Sequence, residues 1–205
     1  MSKRISFQGV DGAYSQLAVK DFFSGAETLP CKTFEIALSE AELGNVDYAM
    51  IPIENSLAGR VADIHYLLPK YKLQIHAEHF QKVEHNLLVK KGAKLNDIKY
   101  VRSHAQAIDQ CQKIIIKNKF KTIISADTAG SAKDLSKTND KSIAAIASKL
   151  SAKIYDLKII LENIEDESQN TTRFLIMSKK VSQPEFDKNK KYITSCIFRL
   201  KSIPA

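Results

Sequence analysis

The sequence predicts a two-lobed α/β protein that binds a small anion in the cleft between its lobes. Three observations carry that prediction. Short apolar runs alternate with segments whose apolar positions recur every three or four residues, the pattern of open parallel sheets flanked by helices. The handover falls repeatedly on a residue suited to cap a helix, at Ser15, Ser56, Ser103 and Asp127. Two extended stretches, Leu73 to Phe80 and Val83 to Val89, carry the chain from one lobe into the other before the rhythm resumes.

In order along the chain, Ile5-Ser6-Phe7 is a short strand, and the loop Gly9 to Tyr14 leads to Ser15 and a helix through Phe23. Phe34 to Leu43 is a second helix, stopped by Gly44. Tyr48-Ala49-Met50-Ile51 is an apolar buried strand that Pro52 ends. After the polar turn Glu54 to Gly59, Val61, Ile64, Leu67 and Leu68 fall at helical spacing. In the second half Tyr100-Val101 leads to Ser103, the cap of a helix carrying Ala105, Ile108, Cys111 and Ile115 on one face. Thr122 to Ser125 is the next strand, and Asp127 caps the helix that opens at Thr128-Ala129. Ser142 to Ala145 runs into a helix ending near Tyr155, Ile159 to Ile164 is extended, and Phe174 to Met177 is the last strong strand of the block. From Val181 to Lys191 the composition turns polar and lysine-rich, as in a linker, and Ile193 to Leu200 begins one more strand.

At 205 residues, 44% hydrophobic and 26% charged, the chain has ordinary globular composition and enough length to bury a core. The net charge of +8 is spread along the sequence, with a single dense cluster at Lys188-Asn189-Lys190-Lys191. A nucleic-acid reader concentrates basic and aromatic residues on one element, so no nucleic acid is expected; a positive field does favour a small anion. No apolar run is long enough to span a bilayer, so no membrane partner is expected. The opening Met1-Ser2-Lys3-Arg4 lacks the apolar stretch of a signal peptide, so a cytoplasmic location is expected. Cys31, Cys111 and Cys196 are odd in number and far apart, which suits free buried thiols rather than disulfides or zinc ligands. His65, His76, His79 and His85 show no ligand spacing, so they are given surface or structural roles and no metal is expected.

Three polar clusters stand at strand-to-helix turns, where open sheets gather ligands and helix N-termini offer unpaired N–H groups to anions. Glu54-Asn55-Ser56 follows a buried strand, although a capped helix with a solvated glutamate explains it equally well. Ser103-His104 with Gln106 occupies the same kind of turn, where the helix dipole favours a neutral imidazole, although an exposed first-turn histidine is the simpler reading of this cluster alone. Asn170-Thr171-Thr172-Arg173-Phe174 joins a polar loop to an apolar strand; Arg173 has the planar fork for a carboxylate, but an edge-strand arginine is the simpler reading on residue types alone.

Taken together, the order and spacing of these segments resemble the prephenate dehydratase family over nearly the whole chain. Gln8-Gly9-Val10-Asp11-Gly12-Ala13-Tyr14-Ser15 is similar to its N-terminal loop, Pro52-Ile53-Glu54-Asn55-Ser56 to its P-I-E-N-S signature, and Ser103-His104-Ala105-Gln106-Ala107 to its S-H-P-Q-A turn. Ala126-Asp127-Thr128-Ala129 also fits, and Asn163-Ile164-Glu165-Asp166 followed by Asn170 to Phe174 resembles the N-x-T-R-F segment that holds the family's catalytic threonine. Ala105 stands where proline is usual, and the first loop is a G-A-Y-S variant of G-T-F-S; neither change removes a functional side chain. Thr194-Ser195-Cys196-Ile197-Phe198 resembles the entry to the family's regulatory ACT domain, cut short here.

The resemblance implies a type II periplasmic-binding-protein-like fold, with a catalytic domain over 1–180, a linker over 181–191 and the start of an ACT domain over 192–205. Lobe one would span about 1–83 plus 165–180, and lobe two about 84–164. It implies a carbon–oxygen lyase that decarboxylates and dehydrates prephenate to phenylpyruvate in phenylalanine biosynthesis, without a cofactor and as a homo-oligomer. Thr172 would donate to the departing hydroxyl, with His104 or Glu54 supplying the proton. Arg173, Asn55, Ser56, Ser103 and Gln106 would hold the substrate. A free imidazole has a pKa of about 6.5, so His104 suits that role directly, whereas Glu54 needs desolvation to reach it. Arogenate dehydratase and a binding module without chemistry are the alternatives.

Overall fold

The computed structural model describes residues 2–180, 187–189 and 191. The expected linker and ACT entry therefore fall largely or wholly outside the described residues. Two mixed α/β lobes form. In the first, strands β1 (Arg4–Gln8), β2 (Glu27–Cys31), β3 (Tyr48–Asn55), β5 (Gln74–Lys82) and β11 (Thr171–Ser178) lie in the order β2-β1-β3-β11-β5, and β4 (Gly59–Arg60) hairpins onto β3. In the second, β6 (Asn86–Val89), β7 (Tyr100–Ser103), β8 (Lys121–Ile124), β9 (Ile143–Ala147) and β10 (Lys158–Leu161) lie in the order β10-β6-β9-β7-β8. Neither sheet is purely parallel, contrary to expectation: β11 runs antiparallel to both neighbours, and β6 does the same in the second sheet. Those are the strands next to the crossings between lobes, where the chain enters or leaves a sheet against the local strand direction.

The central strands β1, β3, β11, β6 and β9 are buried on both faces, which is why they read as continuous apolar runs, whereas β5 and β8 are largely exposed. On β11, Phe174 and Ile176 pack with Ala18 and Val19 of α1 (Tyr14–Phe22), whereas Leu175 and Met177 pack with Leu38 of α2 (Phe34–Leu43) and Ile64 of α3 (Ala62–Leu67). In the second lobe Leu87 and Ile146 face α4 (Ala105–Asp109) and α5 (Gln112–Asn118), and Leu88 and Ala145 face α6 (Thr128–Ser136) and α7 (Lys149–Ile154). The chain crosses between lobes at 83–85 and returns near 162–170. The two crossings bind each other: Val83 N–H donates to the Asn170 carbonyl at 2.8 Å, and Ile164 N–H to the His85 carbonyl at 2.8 Å.

Several local expectations change. Helix α1 starts two residues early, with Ala13 at its N-cap and no capping side chain, so Ser15 is not the cap. Ser56 precedes no helix; it sits in the β3–β4 turn, and α3 is capped at Val61. His104, not Ser103, caps α4 through its ring nitrogen. Pro52 does not end β3, because the pairing with β1 has already stopped at Met50 and the register with β11 shifts beside the proline. The helix expected over Ala105 to Ile115 breaks at Gln110-Cys111: the Gln110 carbonyl accepts from Asp166 N–H at 2.7 Å, and the Asp166 carboxylate caps the next turn at Lys113 N–H. Strand β2, with a proline and an exposed glutamate, had no legible pattern.

Candidate active site

A cavity of about 430 Å³ opens between the lobes. Lobe one contributes Tyr14, Ser15, Pro52, Asn55 and Thr172, and lobe two contributes His104, Gln106, Gln110, Asp127 and Thr128. Its volume suits a metabolite of modest size. Among the described residues its lining holds no lysine or arginine. An anion bound there would depend on hydroxyls, amides and helix N-termini. The N-terminus of α1 is suited to this: its first-turn N–H groups lack a capping side chain, and the Ser15 hydroxyl has no partner among the described residues.

Thr172 and Asn55 stand opposite each other at the end of the β3–β11 pair. The register puts Arg173 against Glu54 and Phe174 against Pro52, so Ile53 is an extra residue on β3. Such a bulge re-aims the side chains that follow it. It brings Asn55 onto the cavity face beside Thr172 and turns Glu54 onto the face of Arg173. Asn55 is fixed from behind, because its Oδ1 accepts from the N–H groups of Leu57 at 3.0 Å and Ala58 at 2.9 Å. Its Nδ2 therefore faces Thr172 and donates to Oγ1 at 2.9 Å. With a lone pair so engaged, the Thr172 hydroxyl keeps its proton, for which no described residue supplies an acceptor.

Arg173 and Glu54 are not in the cavity. The guanidinium donates from Nε to Glu78 at 2.7 Å and pairs through NH1 with Glu54 at 3.2 Å, on the opposite face of β11 from Thr172. These hydrogen-bonded carboxylates, that of Glu54 foremost, raise its pKa further. The expected carboxylate clamp and the expected glutamate acid are thus spent on each other, as strand alternation requires. Ser56 also points elsewhere, donating to the Gln169 carbonyl at 2.8 Å and accepting from Thr171 N–H at 3.0 Å, which ties the 169–171 loop to the turn. Ser103 is fully buried, its hydroxyl given to the Ile146 carbonyl at 2.7 Å.

His104 and Gln106 do line the cavity. His104 Nδ1 accepts from Gln106 N–H at 3.3 Å, which in a neutral ring leaves the proton on Nε2. No group of three or more His, Cys, Asp or Glu side chains that could hold a metal ion occurs among the described residues.

A family model for prephenate dehydratase matches residues 5–182. The chain belongs to the prephenate dehydratase family. It is 42% identical, over 98% of its length, to an arogenate dehydratase/prephenate dehydratase 1 of Arabidopsis thaliana, and spans 51% of that relative. It is 40% identical over 98% of its length to a bifunctional N-acyl-homoserine lactone acylase/prephenate dehydratase of Komagataeibacter europaeus, covering 71% of it. Among solved structures, a prephenate dehydratase from Arthrobacter aurescens in complex with L-Phe superposes with a TM-score of 0.82 at 28% identity, over 90% of this chain and 63% of that one. The chain thus spans about half to two thirds of the length of several relatives it matches.

In this prephenate dehydratase-family chain the cavity residues that the sequence reading gave no site role include Tyr14, His85 and Gln110. His85, expected in a surface or structural role, is 2% exposed and lies between the other two, which excludes the surface. Burial lowers its pKa, only partly offset by Gln110 and Glu165, and burial likewise raises that of Tyr14. Their separation in sequence, 14, 85 and 110, left no local pattern to find.

Proposed function

We propose that this chain catalyses the decarboxylative dehydration of prephenate to phenylpyruvate, with Thr172 as the donor to the departing hydroxyl. One observation carries the reading: the Thr172 hydroxyl, its lone pair engaged by Asn55, keeps a proton that has no acceptor among the described residues, in a cavity shared by both lobes. In the reaction the bond from the ring to its carboxylate breaks and carbon dioxide leaves. The electron pair moves through the ring, and the carbon–oxygen bond to the hydroxyl breaks at the other end. A proton must reach that oxygen for it to leave as water. Aromatisation provides the driving force, and no cofactor takes part.

A threonine hydroxyl is too weak an acid to give up its proton unaided, so Thr172 acts with a second group. Of the two candidates, His104 shares the cavity and Glu54 does not. The carboxylates are met by the open α1 N-terminus with Ser15, and by Gln106. The buried free thiols of Cys31 and Cys111 suit the reducing, cytoplasmic setting included in this proposal.

Incubation with prephenate should yield phenylpyruvate, followed by its absorbance; a parallel incubation with arogenate compares the amino analogue. Thr172→Ala should lower kcat about 100-fold or more while KM changes little, and an unchanged kcat would remove Thr172 from the mechanism. His104→Asn should lower kcat about 100-fold, and an unchanged kcat would remove His104 from the proton path.

A further inference from the structure

The polar side chains behind Thr172 form one unbroken chain whose direction is fixed. Asn55 Nδ2 donates to Thr172 Oγ1 at 2.9 Å and to Asn170 Oδ1 at 2.7 Å. Asn170 Nδ2 donates to Gln110 Oε1 at 2.9 Å. The same oxygen lies 2.9 Å from His85 Nε2, and His85 Nδ1 lies 2.9 Å from the Tyr14 hydroxyl. Asn55 cannot be turned round, because two backbone N–H groups hold its oxygen. Every amide behind it then has one matching orientation. Gln110 must offer its oxygen to Asn170 and His85, so His85 must donate from Nε2.

A neutral ring with its proton on Nδ1 breaks this order. It would face the Gln110 oxygen with a lone pair. Turning Gln110 to satisfy it sets two amide donors against each other at Asn170, and turning Asn170 moves the same conflict to Asn55. Asn170 is fully buried and His85 nearly so, which leaves no water to repair the mismatch. The Tyr14 hydroxyl donates to the Glu84 carbonyl at 2.8 Å and lies 2.9 Å from His85 Nδ1, so its one proton sits between two acceptors when the ring carries its own on Nε2.

We infer that His85, set as the Nε2–H ring by the amide order that starts at Asn55, is a positioning residue: it holds the Gln110 oxygen inward and the Gln110 amide N–H groups toward the cavity. Gln110 and Thr172 then present two donors to one ligand, joined by a chain that lets neither rotate alone. The inference rests on the dehydratase reading above and adds to it a second donor and the residue that orients it.

Substitutions at 85 in the full chain separate positioning from packing. A glutamine places its amide nitrogen where Nε2 stands, an asparagine reaches only the position of Nδ1, and a leucine offers no donor. With prephenate, kcat should fall about 100-fold in His85→Leu and His85→Asn, with KM affected far less, and His85→Gln should recover most of the loss. Long-range proton–nitrogen correlation spectra of histidine-labelled protein, with the His85 signals assigned by their disappearance in His85→Gln, should show the proton-bearing nitrogen at Nε2 and a bare one at Nδ1. Any other pattern overturns the inference, as does an asparagine variant with the parental kcat. Should the variants fail to fold, the parental spectrum decides alone. A parental protein with the Nε2–H ring but no turnover of prephenate would instead refute the dehydratase reading and leave the orientation of the chain standing.

Discussion

The hydroxyl of Thr172 is intrinsically no more acidic than that of any other threonine; its neighbour sets it apart. Asn55 donates to it, so its proton is left for a ligand. Asn55→Asp therefore makes a sharper test than truncation, because an aspartate of nearly the same shape accepts instead and takes that proton for itself. It should reduce kcat as severely as Thr172→Ala, read by steady-state turnover of prephenate. His85 gives a pH signature of its own. Burial depresses its folded pKa, so the unfolded state binds the extra proton first. The associated stability is present above the unfolded pKa of about 6.5 and is lost as pH falls through the folded value, with a slope of at most about 1.4 kcal/mol per unit. Denaturant unfolding of His85→Gln between neutral and mildly acidic pH should lack that slope. Thr172, Asn55, His104 and Gln106 could be singled out because each belongs to a short polar cluster beside the end of an apolar strand. Tyr14, His85 and Gln110 were not, because what unites them is a set of hydrogen bonds between residues far apart in sequence.

One extra residue in β3 decides which of two adjacent polar side chains meets the ligand. Without the Ile53 bulge, alternation from Pro52 would carry Glu54 to the cavity and Asn55 away from it. No feature of Pro52-Ile53-Glu54-Asn55 announces the bulge, so sequence could assign the cluster to a site but not the face of each member. Arg173 inherits the same uncertainty and resolves as an ion pair behind the site. Because Glu54 and Glu78 remain about half exposed, Arg173→Met should cost only about 1 kcal/mol, read by denaturant unfolding, and should change KM for prephenate less than about twofold. A large rise in KM would return Arg173 to the substrate. Most elements could be read from apolar periodicity, and α2 matched from Phe34 to the left-handed Gly44. The break between α4 and α5 could not, since a distant segment near Asp166 makes it.

Across the whole molecule the lobes meet at more than their two crossings. The Gly12 carbonyl accepts from the hydroxyls of Ser148 at 2.7 Å and Ser151 at 2.9 Å, so the loop that opens α1 is fastened to the start of α7. The approach needs glycine twice over: φ is +91°, and a Cβ there would come within 2.9 Å of the Ser151 backbone. Gly12→Ala should lower stability by about 2 kcal/mol or more and reduce activity through a displaced Ser15, measured by unfolding and by kcat/KM on the same preparation. This fastening determines how the protein meets its ligand. A cleft that swings shut spends part of its binding energy on closing, and its apparent affinity is discounted by the rarity of the closed form. Here two hydrogen bonds join the walls before any ligand arrives. The expected outcome is binding without closure: the radius of gyration in solution should stay the same when prephenate binds, and a contraction would show that this fastening yields.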